Sequence, residues 1–304
     1  MSVTQHHEPA CDPCSDSHVV ALKIAARERD IGAFTVARIL PSARRRLVGP
    51  FIFFDHMGPA ELPPGVGMNV RPHPHIGLAT VTYLFEGEIH HRDSLGFSQP
   101  IRPGAINWMT AGRGIVHSER SSPEVTAAAA RVHGIQLWVA LPKEHEEAEP
   151  AFVHHPADTI PAVELDGVKL RLLIGSAYGV ASPVQTLAPM IYAEVILEPG
   201  ASVALPDVEE RAAYVVTGAL QAGDETGAAR EMLVFEPGAV TVRAGEEGAH
   251  VMLIGGPPID GERHIFWNFV SSSKARIERA KSEWRDEKFP LVPGDDAERI
   301  PLPE

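Results

Sequence analysis

The sequence predicts an all-β protein made of two similar units in tandem, followed by a short helix. Proline and glycine supply 27 and 26 of the 304 residues, and both residue types set the turns between short elements. Between these turns lie apolar runs of the length of a β-strand. The runs are Val36–Leu40, Phe51–Phe54, Ala79–Phe85, Ile135–Val139, Lys169–Ile174, Ile191–Leu197, Ala212–Val216 and Met252–Ile254.

An internal repeat supports the tandem arrangement, although one large domain is also compatible with this length. Tyr83–Gly87 (YLFEG) resembles Tyr214–Gly218 (YVVTG), at an offset of 131 residues. Each segment is followed, in the same order, by a Pro-Gly pair and an Ala-Gly pair. Such repetition of strand and turn is typical of duplicated β units.

The composition divides the chain into five segments. The polar N-terminus contains Cys11 and Cys14 together with His6, His7 and His18. A single C-x-x-C pair in a polar terminus is more typical of a flexible tail than of a metal or redox site. We therefore expect a tail (1–18), an N-terminal β domain (19–145), a connection (146–168), a C-terminal β domain (169–270) and a terminal helix with its tail (271–304).

The last segment carries the signals of a helix. The serines of Ser271–Ser273 can cap a helix over Lys274–Arg285, and Pro290 follows its end. Ile277, Ala280 and Trp284 fall on one face of that helix. We expect this apolar face to pack on the β scaffold rather than to bind a partner.

Charge and composition exclude several classes of protein. The chain carries 27 Lys+Arg against 40 Asp+Glu, a net charge of −13, and so has no basic surplus for direct binding of nucleic acid. No run of 18 apolar residues is present to span a membrane, and no secretory signal is visible. Two cysteines cannot form a disulfide framework in a chain of this length. We expect a cytoplasmic protein.

Two pairs of metal-ligating residue types stand out among the 15 histidines. His73 and His75 are separated by one residue, and His117 and Glu119 repeat this spacing further along the chain. On an extended strand such residues point to the same side, so two strands can aim four ligands at one ion. Imidazole and carboxylate ligands suit Fe(II), Mn(II), Ni(II), Co(II), Cu(II) or Zn(II).

The remaining histidines of the β domains have ordinary interpretations. His90 and His91 are expected in a solvated turn, and His154 and His155 lie in a polar stretch. His133, between Val132 and Gly134, is typical of an interior imidazole with a hydrogen-bond partner.

Several motifs resemble the pirin family. They are Phe51–His56 (FIFFDH), Pro72–Gly77 (PHPHIG), Thr80–Gly87 (TVTYLFEG), Asp93–Gly96 (DSLG) and Trp108–Glu119 (WMTAGRGIVHSE). The resemblance extends over most of residues 30–290 and implies two tandem cupin barrels, which are jelly-roll folds. In the family the N-terminal barrel holds one metal ion, commonly iron, through three histidines and a glutamate. These four ligands correspond to His73, His75, His117 and Glu119 here.

Two departures from the cupin pattern bear on the ligands. Many cupins place a glutamate four residues after the second histidine, but Ala79 stands at that position, so Glu119 is the candidate carboxylate. The repeat offsets map the four ligands onto Ala204, Pro206, His250 and Met252 in the second unit. We therefore expect the C-terminal barrel to bind no metal.

The resemblance implies one of two functions. The first is that of a quercetin 2,3-dioxygenase, which opens the central ring of a flavonol with O₂; Glu119 is then the base that removes the hydroxyl proton. Phe53 and Arg113 are candidate residues of the substrate pocket. The alternative is an iron-dependent regulatory protein that binds a transcription factor or a metabolic enzyme and catalyses no reaction.

Overall fold

The computed structural model of the chain describes residues 18–31 and 34–304. The pair Cys11 and Cys14 lies outside the described residues, as do His6 and His7. The strands of the N-terminal half are β1 (Val20–Ala25), β2 (Arg27–Asp30), β3 (Thr35–Leu40), β4 (Phe51–Leu62), β5 (Asn69–His75), β6 (Leu78–Glu86), β7 (Ile89–Asp93), β8 (Ser98–Ile101), β9 (Ile106–Thr110), β10 (Ile115–Arg120), β11 (Ala130–Ala140) and β12 (Ala151–His155).

The C-terminal half contains a second set of strands. They are β13 (Ala162–Leu165), β14 (Val168–Ile174), β15 (Ser176–Ala177), β16 (Val180–Ala181), β17 (Ile191–Leu197), β18 (Ser202–Ala204), β19 (Glu210–Ala222), β20 (Glu225–Ala228), β21 (Glu231–Phe235), β22 (Thr241–Gly256), β23 (His264–Phe266) and β24 (Phe269–Ser271). The helices are α1 (Pro123–Ala127) and α2 (Lys274–Arg285), with 3₁₀ turns at Lys143–His145 and Ala157–Thr159. Over the described residues, neither α-helix has the length and hydropathy needed to cross a membrane.

The strands form two tandem cupin barrels, as the sequence predicts. In the N-terminal barrel, a sheet of order β12-β9-β6-β11-β4-β3-β2 faces a smaller sheet of order β5-β10-β7-β8. The main sheet of the C-terminal barrel has the order β1-β21-β19-β22-β17-β14-β13, with β18 and β20 paired to its long strands. Each of the eight predicted apolar runs lies within one of these strands.

The large sheets of the two barrels pack against each other through a shared apolar core. Their facing sides carry aliphatic and aromatic residues that are removed from solvent, and burial of this area is the main stabilising contribution between the barrels. The largest side chains of this interface are Phe51, Phe54, Tyr83, Tyr192 and Tyr214. The two barrels therefore share one core.

The interiors of the two barrels differ in polarity. Aliphatic side chains such as Leu170, Val195 and Val215 fill the interior of the C-terminal barrel. The N-terminal barrel instead places polar groups inward, among them Thr82 and Gln136, which are hydrogen-bonded to each other. A polar interior requires partners for its buried groups, and this barrel contains the candidate site.

Two strands lie in the sheet of the other predicted segment. β1, within the predicted N-terminal domain 19–145, pairs with β21 of the C-terminal barrel. β12, within the predicted connection 146–168, pairs with β9 of the N-terminal barrel. Each strand covers the edge of a sheet that would otherwise be open to unwanted pairing. The division into domains stays a prediction with these two exchanges.

The strand pairing changes the alignment of the two units. β11 lies between β4 and β6, and the second part of β22 lies between β17 and β19 in the same way. His250 is therefore the counterpart of a residue in β11 and not of His117. The counterpart of the β5–β10 pair is β18 with Thr241–Arg243, and neither segment contains His, Cys, Asp or Glu. The offset changes because α1 interrupts the chain between β10 and β11, whereas β22 continues unbroken.

The C-terminal helix has the predicted bounds. α2 spans Lys274–Arg285, and the Ser273 hydroxyl caps it by accepting from the Arg276 N–H. Ile277, Ala280 and Trp284 are buried on its inner face. They pack with Ile76, Val116 and Phe269 beside the small sheet of the N-terminal barrel. The prediction that this face packs on the β scaffold is confirmed.

Candidate metal centre

The pairing of β5 with β10 brings three of the predicted ligands together. His117 lies directly opposite His73 in the ladder, and His75 is two residues further along β5. The ring centres of the three imidazoles are 4.4 to 5.0 Å apart. One nitrogen from each ring lies within 4.8 Å of the others, and all three side chains are buried. The i, i+2 spacing therefore acts as predicted.

The local sequence explains why these strands can form the cluster. β5 contains Pro72 and Pro74, which cannot donate to a ladder, and it lies at the edge of its sheet, where proline is tolerated. On the free side of β5, the Ile300 N–H donates to the Pro72 carbonyl. Gly77, with φ of +68°, then turns the chain from β5 into β6. The C-terminal tail and this turn fix the strand that carries two ligands.

Burial keeps the three imidazoles neutral. Desolvation lowers the pKa of His73 to about 4, although the Arg71 carbonyl opposes this shift. It also lowers the pKa values of His75 and His117 well below their usual range. A neutral imidazole offers a lone pair, which is the form that binds a metal.

Glu119 lines the same cavity but lies outside the tight cluster of imidazoles. The register between β10 and β5 shifts between His117 and Glu119, so Glu119 is opposite Val70. Its carboxylate Oε1 is 3.5 Å from the Thr82 hydroxyl. Burial raises the pKa of Glu119 to about 7, and Thr82 opposes this shift. The structure thus provides three close imidazoles and one nearby carboxylate.

The donor set fits a transition metal ion. His75 Nε2 and His117 Nε2 are 3.1 Å apart. Two nitrogens that each lie about 2.0–2.1 Å from one ion are about 3 to 3.4 Å apart at tetrahedral or octahedral angles. Three neutral imidazoles with an adjacent carboxylate are ligands that such ions accept. The arrangement therefore defines a candidate mononuclear centre.

Aromatic side chains wall the cavity around this centre, which has a volume of about 220 Å³. Phe53 lines it, as predicted, and stacks on Trp138 with ring centres 4.1 Å apart. Arg38 lies 4.5 Å above the Phe53 ring and forms a two-pronged hydrogen bond with Asp55. The cavity is thus flat-walled, and its arginine is already paired with a carboxylate.

Three residues from the C-terminal part of the chain complete the wall. Trp267 and Asn268 form the turn between β23 and β24, and Ile300 belongs to the tail after α2. Trp267 has a φ of +51°, which is unfavourable for a residue with a side chain. Such strain is found where surrounding contacts enforce a position, and here it places an indole at the cavity. No sequence signal identified these residues as part of the site.

Arg113 is not brought to the cavity, contrary to the prediction. Its side chain is exposed and forms an ion pair with Glu149 on another face of the protein. Its carbonyl accepts a hydrogen bond from Arg276 of α2. The turn that precedes β10 points this arginine away from the ligands, so it cannot orient Glu119 or a substrate there.

His91 was wrongly interpreted as a solvated turn residue. It is buried in β7, with its Nδ1 3.4 Å from His117 Nδ1 and its Nε2 2.8 Å from the Asp93 carboxylate. In the ladder, His91 is opposite Glu119 and Asp93 is opposite His117. His91 and Asp93 have the same i, i+2 spacing as the two ligand pairs, and this third repetition is the signal that could have identified them.

The fold and this cluster define a protein with two cupin barrels and one candidate metal centre. Comparison with known families identifies the class more narrowly. The pirin family model matches residues 33–139, and the model of the pirin C-terminal cupin domain matches residues 192–290. A pirin-like protein of Caulobacter vibrioides is 49% identical over 291 residues, which cover 94% of this chain and 100% of the relative. The chain belongs to the pirin family.

Two further relatives carry the name of an enzyme. A Pseudomonas aeruginosa protein provisionally named quercetin 2,3-dioxygenase is 38% identical over 308 residues, covering 97% of this chain and 96% of the relative. A crystal structure of a quercetin 2,3-dioxygenase from Acinetobacter baumannii superimposes with a TM-score of 0.86 at 32% identity. It covers 93% of this chain and 95% of its own. The chain is thus similar to proteins with that name.

Proposed function

We propose that this protein is a metal-dependent dioxygenase of the quercetin 2,3-dioxygenase type, which opens the central ring of a flavonol-like substrate with O₂. The observation that supports this proposal is the convergence of three buried, neutral imidazoles in a cavity with aromatic walls and a carboxylate. The similarity to proteins that carry this enzyme name supports the same function.

His73, His75, His117 and Glu119 would hold one divalent transition ion per chain, with Fe(II) as the first candidate and Ni, Co, Cu, Mn or Zn as others. When bound, the ion would supply a Lewis acid for the substrate oxygens and open coordination positions. Only part of the cavity is lined by these ligands, so the aromatic walls are left to contact the substrate.

Glu119 is the proposed base for the flavonol hydroxyl. Its raised pKa of about 7 lies close to a neutral working pH, where a positioned base transfers protons most effectively. Thr82, which lies between Glu119 and Gln136, can donate its single hydroxyl proton to either. The stacked rings of Phe53 and Trp138 offer flat faces against which a planar aromatic substrate can pack.

The size of the cavity favours a compact substrate. Its volume of about 220 Å³ is below the range of roughly 300–1,000 Å³ that is usual for pockets of drug-sized ligands. We therefore expect Trp267 and Ile300, which line the cavity from the C-terminal part of the chain, to move apart when a flavonol enters.

A Glu119→Gln substitution tests the enzymatic proposal. Glutamine keeps the size of the side chain but cannot accept a proton as a carboxylate does. Three imidazoles are enough to hold a divalent ion, so the variant should still load metal. We expect kcat/KM for quercetin to fall by about 10²- to 10⁴-fold, the usual contribution of a positioned base, measured as O₂ consumption by metal-loaded protein.

The exposed Glu149 provides the matched control, since Glu149→Gln removes a carboxylate outside the cavity. A loaded Glu119→Gln variant that turns over at the parental rate would show that Glu119 is not the base. No turnover by the parent with any first-row metal would favour the regulatory alternative, in which metal-dependent capture of a protein partner is expected instead. The cytoplasmic location stays a prediction.

A further inference from the structure

We propose that His91 and Asp93 are positioning residues that orient the metal ligand His117 and strengthen its bond to the ion. The inference rests on the proposed metal centre and assigns a function to two buried residues beside it. Both lie on β7, directly across the ladder from the ligand strand β10.

The three side chains form a chain of contacts that leads away from the cavity. His117 turns its Nε2 toward His75 Nε2, 3.1 Å away, and its Nδ1 toward His91 Nδ1, 3.4 Å away. His91 Nε2 is 2.8 Å from Asp93 Oδ2. Asp93 is fully buried and His91 is 4% exposed, so solvent does not compete for these groups.

A single assignment of protons satisfies this chain when Asp93 is ionised. The carboxylate accepts only, so His91 Nε2 must carry the proton that it donates. His91 is then left with a lone pair on Nδ1, which accepts from the Nδ1–H of His117. His117 consequently keeps the lone pair of Nε2, the nitrogen that faces the other ligands. Asp93 therefore selects the tautomer in which His117 can bind a metal.

Further contacts hold the two positioning residues in place. Asp93 Oδ1 accepts from the backbone N–H groups of Leu95 and Phe97, so the carboxylate cannot rotate away from His91. The His91 ring stacks on Phe152 of β12, with ring centres 4.3 Å apart and planes 11° from parallel. Such rigid partners behind a ligand are known to contribute to metal affinity and ligand basicity.

An Asp93→Asn substitution reverses the tautomer and keeps the turn. The amide oxygen can still accept from Leu95 and Phe97, but its NH₂ group then faces His91 Nε2. His91 must accept at Nε2 and carry its proton on Nδ1, where it meets the N–H of His117. We expect the dissociation constant for Co(II) alone, measured anaerobically by chelator competition, to rise about 10- to 100-fold, as for other losses of outer partners.

Three further variants separate positioning from packing. His91→Phe keeps the stack on Phe152 and removes the acceptor, so it should weaken Co(II) binding by a similar factor. His91→Gln restores an acceptor oxygen and should recover part of the affinity. His90→Gln is the control, because His90 is the preceding residue and bonds Ser98 on the other side of β7.

The visible spectrum of bound Co(II) should shift in Asp93→Asn and His91→Phe but not in His90→Gln. Parental affinity and spectrum in both variants would overturn the proposal. If Asp93→Asn fails to fold, as judged from the thermal unfolding of the apoprotein, His91→Phe and His91→Gln decide. A parent chain that binds no Co(II) would instead refute the metal centre itself, and the inference with it.

Discussion

Gly77 shows how one residue sets the position of the ligand strand. It lies two residues after His75 with a φ of +68°, and its N–H donates to the Gly112 carbonyl. A Cβ atom at this position would lie 2.0 Å from the Val270 carbonyl oxygen, far inside contact distance. The residue must therefore be glycine for both the backbone angle and the close approach of β24.

We expect Gly77→Ala to lower the free energy of unfolding by about 2 kcal/mol or more, through backbone strain together with displacement of β24. Urea unfolding measures this loss. Gly96→Ala is the control, because Gly96 also has a positive φ but no atom within 4 Å of the added Cβ. Equal losses in the two variants would show that the contact with Val270 contributes nothing.

Sequence patterns predicted the ligands but not the residues around them. The spacing of His73, His75 and His117 is a property of the local strand, so alternation alone places them on one face. The burial of His91 depends on Phe152, which is 61 residues away in the sequence. The direction of Arg113 is set by Glu149, and such pairings between distant segments cannot be obtained from local pattern.

At the scale of elements, α2 links the C-terminal tail to the ligand strand. Trp284 on α2 is 4% exposed, and its indole N–H donates to the Ile300 carbonyl. The Arg299 guanidinium lies 4.8 Å above the same ring. Since Ile300 in turn donates to Pro72 of β5, the helix, the tail and the metal-site strand are joined by consecutive contacts.

Trp284→Ala should therefore destabilise the protein and loosen the tail. Replacement of a buried tryptophan by alanine costs about 3–5 kcal/mol, which thermal or urea unfolding would detect. Hydrogen exchange should also become faster at the amide of Ile300 and along β5. Arg285→Ala, at the neighbouring exposed position, should leave both unchanged. Unchanged exchange at Ile300 in Trp284→Ala would contradict the proposed link.

Local signals explain why α2 was predicted to the residue. Its serine cap, its apolar face and the following proline all lie within the segment itself. The surface on which it packs was not predicted, because Ile76 and Val116 come from the N-terminal barrel. The same holds for β1, whose partner β21 is about 200 residues further along the chain.

At the scale of the whole molecule, hydrogen-bonded side chains cross the core between the barrels. His56 Nδ1 is 2.8 Å from the Tyr214 hydroxyl, and His56 Nε2 is 2.8 Å from His133 Nε2. Nearby, the Tyr83 hydroxyl donates to Glu194, which also pairs with His250. The interface thus contains histidines that must remain neutral.

This network predicts loss of stability in acid. Burial, and after it the nearby charges of His133, Arg230 and His250, lowers the pKa of His56 to about 3, whereas an unfolded histidine has a pKa of about 6.5. Between these values the unfolded chain binds a proton that the folded chain does not. The free energy of unfolding should therefore fall as the pH drops from about 6.5 toward 3, by up to about 1.4 kcal/mol per pH unit for this histidine.

His56→Gln should remove this part of the slope, because glutamine keeps hydrogen-bonding capacity and does not titrate. The measurement is urea unfolding between pH 8 and 4 for the parent, His56→Gln and His145→Gln, whose histidine is half-exposed. Parallel curves for the parent and His56→Gln would show that His56 does not carry this proton linkage.

The duplication could be inferred from sequence, but its register could not. The Tyr83 and Tyr214 motifs identify equivalent strands, β6 and β19. Beyond them α1 interrupts the first unit, so the same offset leads from His117 to His250 although strand pairing does not. Only the ladder shows that the second barrel has Thr241–Arg243 beside β18. The prediction that this barrel binds no metal now rests on those residues.

The most direct test of the account is an anomalous-scattering map from crystals of the full chain grown with Co(II). We predict one peak per chain, about 2 Å from a nitrogen of each of His73, His75 and His117, with Glu119 as the fourth protein ligand. A peak in the C-terminal barrel, or no peak between these three imidazoles in crystals that hold the metal elsewhere, would contradict the proposed centre.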